Sequence, residues 1–449
     1  MDNDVRHYVV LHTTAELWAA YARGDLKGVQ AYIAHSLRGG DMIARRFEVV
    51  ALPSNPVRVP GVEQRVPRQL VVGLIMTNAA AAGDFQDRVQ DQRGEVFIGS
   101  GADLPFFGAD HWCPSEASDP IFADRAAAEV LLGVPYVRDQ HGLKGANVNV
   151  VIVDQGLDAA VLGSSYASGW PVQQKLPGTT VSPGTPTLRT HAMMIANNVL
   201  QVAPDVRLFD LPMVPPRIID VCDFFLHTAD AAYRTMLDGI AQYRANGQFP
   251  GPWILVNAWS IYDRKPEHPA GSYTNGPQHA FNQMVVQAVG SGIDVVFAAG
   301  NCGQFCPDMR CGGLDRGPGR SIFGANSLDQ VLSVGAVRAD TLWLGFSSQG
   351  PGQPLLGLDK PDFCAPSQFC ETTDAYATNG GTSAACALTA GVVAGLRSNP
   401  KWGPAQVPPG TLQSILNAQA RKTNGPRNRV GNGILDAHAA FDELVKQYP

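Results

Sequence analysis

The sequence predicts an α/β protein, a parallel-sheet domain preceded by a small α+β domain. Two observations carry this. Past residue 120, apolar runs at 148–153, 253–257, 295–299 and 331–337 alternate with helical stretches. Nearly unbroken apolar strands suit a parallel sheet buried on both faces. The first hundred residues have a different rhythm, in which strands and helices follow the order βαββαβ.

In that first stretch, residues 8–12 are a short β-rich run. Residues 15–37 carry apolar side chains at helical spacing (Leu17, Trp18, Tyr21, then Val29, Tyr32, Ile33), stopped by Gly39 and Gly40. Residues 47–52 and 70–76 read as strands, 84–93 as a polar helix and 95–98 as a last strand. This is the split-βαβ, ferredoxin-like order. The expected domains are residues 1–100, a linker at 101–120 rich in Gly, Pro and Asp, and a large domain at 121–449. A chain of 449 residues fits two or three domains of about 100–200 residues each. It buries enough surface to fold without staples.

Net charge is −6, from 34 basic and 40 acidic residues, which argues against a nucleic-acid or membrane partner held by bulk charge. The apolar run 384–396 falls short of the roughly 18 residues that a membrane span needs. The N-terminus has early acids and no basic segment leading into a long apolar one, so a cytoplasmic location is expected.

Three segments carry reactive residues at element ends. An apolar strand ends at Asp154, with Gly156 close behind; His191 opens a helix-compatible run; Ser383 follows two glycines and opens an apolar helix. In open α/β sheets, ligands and active sites lie at that edge. A serine hydroxyl attacks only when a base takes its proton, which histidine does near neutral pH, and a carboxylate fixes the imidazole's tautomer. The chain order Asp, His, Ser is one of those known to produce this geometry. Asn301, just past another apolar strand, offers an amide to a developing oxyanion. Taken singly, each has a plainer reading: Ser383 as a helix cap, His191 as a surface histidine, Asp154 and Asn301 as turn residues.

Asp154-Gln155-Gly156, the run at His191, Ala298-Ala299-Gly300-Asn301 and Gly381-Thr382-Ser383-Ala384-Ala385 together resemble the motifs of the subtilisin-like serine proteases. Gln201-Val202-Ala203-Pro204, Lys360-Pro361-Asp362 and Gly431-Asn432-Gly433-Ile434 add to the likeness, which spans about 120–445. The resemblance implies a three-layer fold and a serine endopeptidase acting on protein or peptide substrates through an acyl-enzyme. Ser383 would be nucleophile, His191 general base, Asp154 its orienter and Asn301 the oxyanion donor. Ala258, Trp259, Ser260 and Ile261 would line the bound substrate. A catalytically silent protein-binding scaffold and a peptide ligase or macrocyclase with 310–320 as a lid are the alternatives. No cofactor is implied for the chemistry. Structural calcium is common in the family, but no calcium-loop motif places it here.

The sequence departs from the family at two places. Arg189-Thr190-His191-Ala192 lacks the glycines usual around the histidine, so Arg189 would crowd or charge that rim. Residues 257–262 lack the usual substrate-strand glycine, so Trp259 and Tyr262 would close or reshape the primary pocket. The first domain resembles, in pattern and position, the propeptide of these proteases; a permanent regulatory domain is the other reading.

Eight cysteines are present. In a large chain without a visible signal they read as free thiols or metal ligands. Cys302, Cys306 and Cys311, spaced C-x3-C-x4-C, are candidate zinc ligands if Asp308, Asp315 or a distant cysteine is a fourth. Free thiols, or one disulfide with a thiol left over, remain open, and Cys364 and Cys370, which flank a loop, read equally as a pair or as buried single thiols.

Overall fold

The computed structural model describes residues 5–37, 44–48, 69–76, 79–92, 94, 96–102, 110–114, 123–173, 180–185, 191–214, 225–371 and 378–449. The chain divides into two units, Met1–Gly108 and Ala109–Pro449.

The first unit is an antiparallel sheet in the order Ala44–Glu48, Gln69–Met76, Val5–His12, Phe97–Ala102. This is the strand order of a split βαβ fold. Along Val5–His12, alternate residues His7, Val9 and Leu11 are buried, as a strand with one covered face requires. They meet Leu17, Val29, Ile33, Phe85 and Val89 from the helices. The single helix expected at 15–37 is two helices, Ala15–Ala22 and Leu26–Ser36. Gly24 turns the chain at φ +70°, and Asp25 restarts it by accepting a hydrogen bond from Gly28 N at 2.9 Å. The strand expected at 47–52 is Ala44–Glu48, and residues 49–52 lie outside the described residues.

The second unit holds a seven-stranded sheet in the order Phe363–Pro366, Leu332–Val337, Ile293–Ala298, Trp253–Asn257, Asn149–Asp154, Arg207–Pro212, Tyr166–Gly169. Every pair is parallel. Side chains alternate between two cores, as the period of two demands. Val150, Ile152, Ile254 and Val256 pack with the helices His191–Val202, Gly381–Arg397, Pro409–Gln419 and Ala437–Gln447. Val151, Val153, Leu255 and Val295 pack with Phe225–Ala245 and Ala280–Gly290. The unit is thus three layers deep. Residues 384–396 lie in a helix buried along its length, behind Ser383.

The linker expected at 101–120 is only partly described. Trp112 N donates to Trp343 O at 3.0 Å and Trp112 O accepts from Gly345 N at 2.9 Å, so this stretch is built into the second unit. From Asn149–Asp154 the chain first adds strands on one side, then returns and adds the rest on the other. The carboxyl ends of the strands at that reversal are where such sheets place their sites.

Candidate active site

Asp154 ends the strand Asn149–Asp154 and is buried; His191 is the first residue of its helix. His191 Nδ1 lies 2.9 Å from both Asp154 carboxylate oxygens, and Nε2 lies 3.0 Å from Ser383 Oγ. Gln155 N donates to Asp154 Oδ1 at 2.8 Å, which fixes the carboxylate. Ser383 sits in the first turn of Gly381–Arg397, and its Oγ is 3.1 Å from Ala258 O. The hydroxyl proton therefore has two acceptors, the imidazole and a carbonyl. Gly381 makes this turn at φ +68°, and a Cβ there would stand 3.1 Å from Asn301 Nδ2. Glycine meets both demands.

Asn301 follows Ile293–Ala298, the strand paired with Trp253–Asn257 on the side away from Asn149–Asp154. Its Oδ1 accepts from Thr382 N and Thr382 Oγ1, both at 2.9 Å. The amide is thereby oriented with Nδ2 left as its donor. The sequence singled out Asn301 but not the threonine that aims it, although Thr382 lies inside the Gly-Thr-Ser motif.

Burial pulls the His191 pKa down, but the charge and hydrogen bond of Asp154 outweigh burial and raise it above 6.5; Arg310 opposes that rise. An imidazole so held can accept the serine proton and remain charged long enough to pass it on. A second carboxylate, Asp210, lies buried on the adjacent strand. Its Oδ2 accepts from Leu157 N at 3.0 Å and Gly184 N at 2.9 Å, while Oδ1 has no partner among the described residues. Burial pushes its pKa up to about 6; those two N–H groups oppose the rise and Asp154 adds to it.

The four residues expected to meet substrate divide by alternation. Ala258 reaches Ser383 through its carbonyl. The Trp259 ring turns inward onto Phe225, Phe281 and Phe297, and Ile261 packs against the same core. The Trp259 side chain, expected to meet substrate, is therefore part of that core, and Ile261 is partly buried against it. Ser260 faces the other way, with Tyr262. Arg189 lies outside the described residues. The stretch 310–320 is folded back rather than free: Gly312 N donates to Tyr262 O at 2.9 Å and Gly317 N to Cys302 O at 2.8 Å.

The cysteines correct the reading as free thiols or zinc ligands. Cys302 pairs with Cys311 and Cys306 with Cys113, at Cα separations of 5.7 and 6.0 Å, within disulfide reach. The partner missing from the C-x3-C-x4-C pattern lies 193 residues upstream, where spacing gives no sign of it. Cys364 and Cys370 are each buried and free, as is Cys386. Among the described residues no group of three or more His, Cys, Asp or Glu is placed to hold a metal ion. No helix there is long and apolar enough to cross a membrane.

Residues 248–433 match the family model of the subtilase family. The resemblance read from the sequence is borne out. This subtilisin-like unit is 27% identical over 327 residues to subtilisin DY of Bacillus licheniformis, covering 70% of this chain and 99% of that protein. Subtilisin E of Bacillus subtilis (strain 168) is 28% identical over 304 residues, covering 63% of this chain and 66% of that protein. The CspB protease of Clostridium perfringens superposes with a TM-score of 0.54 at 13% identity, covering 71% of this chain and 98% of that one. That likeness is one of fold. The family match takes in Ala258, Asn301 and Ser383; Asp154 and His191 lie outside it and join the site through the hydrogen bonds above.

Proposed function

We propose that this chain is a serine endopeptidase that hydrolyses peptide bonds of protein or peptide substrates through an acyl-enzyme on Ser383. One observation carries the reading: the unbroken chain Asp154, His191 Nδ1, His191 Nε2, Ser383 Oγ, with each link at 2.9–3.0 Å. Ser383 Oγ attacks the scissile carbonyl carbon and gives its proton to His191 Nε2. The carbonyl oxygen, now negative, is met by the Asn301 amide that Thr382 holds in place. His191 returns the proton to the departing amine as the C–N bond breaks. Water then repeats the sequence and releases the acid. Asp154 stabilises the imidazolium throughout without itself taking the proton.

The two disulfides support an oxidising compartment as the place of action instead of the cytoplasm, because cytosolic reductants keep thiols reduced. Intact mass after treatment with a fluorophosphonate tests the reading, with Ser383→Ala alongside. One stoichiometric adduct in the parent and none in the variant is expected. A folded parent that takes no adduct, before and after limited proteolysis, would overturn it in favour of a scaffold. The same spectra report whether residues 1–100 have been removed, as a propeptide would be.

A further inference from the structure

A peptide carbonyl poised for attack has its carbon at Ser383 Oγ and its oxygen at the Asn301 amide. The residue bearing that carbonyl then lies across the gap between two chain segments, 258–262 and 299–301. These segments leave neighbouring parallel strands side by side, Asn257 being paired with Phe297. Whatever fills the gap decides which side chain the acyl residue can carry.

The gap is narrow at its base. A Cβ on Gly300 would lie 3.2 Å from Ser260 Oγ and 2.9 Å from Ser348 Oγ. Tyr262 reaches both sides of the gap, Ser260 and Asn301. Alternation along 258–262 sends Trp259 and Ile261 to the core and leaves Tyr262 on the same side as Ser260. Its phenol interacts with Asn301 and Ser260 and accepts from Arg310 Nη2 at 2.8 Å. The guanidinium carbon of Arg310 also lies 3.9 Å from the Tyr262 ring centroid. Asp308 grips that guanidinium through both carboxylate oxygens, at 2.8 and 2.9 Å, and Asp308 N donates to Asn301 O at 2.8 Å. The Cys302–Cys311 disulfide closes the loop that carries both charges. Tyr262 is thus clamped in position. Because Asp308 already meets the Arg310 charge, the arginine acts as a clamp and not as a receptor for an acidic side chain.

We propose that Tyr262, pinned by Arg310, is the specificity-determining residue of this site and restricts the acyl side of the scissile bond to glycine, alanine or serine. The proposal rests on the serine-peptidase reading. It is tested with peptides identical except for that residue (Gly, Ala, Ser, Leu, Phe, Glu), comparing kcat/KM in the parent, Tyr262→Gly, Tyr262→Phe and Arg310→Met. Fluorophosphonate titration counts working sites, since it needs the nucleophile and not the pocket.

The parent should favour Ala over Phe by roughly tenfold or more, the scale on which pocket sterics discriminate. Tyr262→Gly should raise the Phe/Ala ratio by a similar factor. Arg310→Met should raise it less, and Tyr262→Phe, which keeps the ring, least of all. Stoichiometric labelling with a parent that prefers Leu, Phe or Glu overturns the proposal and leaves the peptidase reading intact. An unchanged ratio in a labelled Tyr262→Gly does the same. Absence of labelling removes both. Should Tyr262→Gly fail to fold, the parent's preference and the Arg310→Met ratio decide.

Discussion

Replacing Asp210 by Asn should flatten the pH dependence of stability. Asp210 is fully buried, its carboxylate has one oxygen with two N–H donors and one without a partner among the described residues, and its pKa is pushed up to about 6. In the unfolded chain an aspartate titrates near its ordinary value of about 3.9. The native state therefore holds this proton more tightly than the unfolded state. Its stabilisation is complete below about pH 4 and is lost as pH rises through about 6, where the buried group must carry charge. A difference of about two pH units corresponds to about 3 kcal/mol. Asparagine is neutral throughout, and its Oδ1 can accept from the same Leu157 and Gly184 N–H groups. Asp210→Asn should match the parent near pH 4 and exceed it by up to about 3 kcal/mol above about pH 7. Urea unfolding at several pH values, with both chains carrying Ser383→Ala to prevent self-digestion, gives the difference directly. A difference that stays constant across that range would refute the reasoning.

Asp154→Asn should lower kcat by about 10⁴-fold, because the amide cannot hold the imidazole in its working tautomer or stabilise its charge. In the parent, kcat/KM should rise with pH through an inflection above 6.5, since His191 acts as a base only when neutral and Asp154 raises its pKa. An inflection below 6.5 would count against that assignment. Elsewhere, Arg397 is buried with Nε and Nη2 on Asp294 at 2.7 Å and Nη1 on the carbonyls of Trp402 and Val407 at 2.6 Å. Arg397→Met leaves Asp294 uncompensated and should cost about 3–5 kcal/mol in urea unfolding; a loss under about 1 kcal/mol would contradict the pairing.

What was legible in the sequence follows from how each feature is encoded. The sheet could be read because strands covered on both faces are unbroken apolar runs, such as the fully buried Asn149–Asp154 and Ile293–Ala298. Asp154, His191, Asn301 and Ser383 could be read because each sits where an element ends or begins, and such ends carry local signals. Contacts between distant loops carry no such signal. The Cys113–Cys306 pair, the Tyr262–Arg310 clamp and the Thr382–Asn301 bond each join segments tens to hundreds of residues apart. Residue type alone does not say which loops meet. Trp259 is instructive because its direction was encoded locally. An aromatic residue beside the nucleophile's carbonyl partner suggests a cleft wall, yet the period of two places it with Asn257, whose Oδ1 accepts from Trp259 Nε1 at 3.2 Å. The same period places Tyr262 opposite Trp259, on the side of the gap. Reaction chemistry is therefore written in the ends of regular elements, whereas selectivity depends on how loops fold against one another.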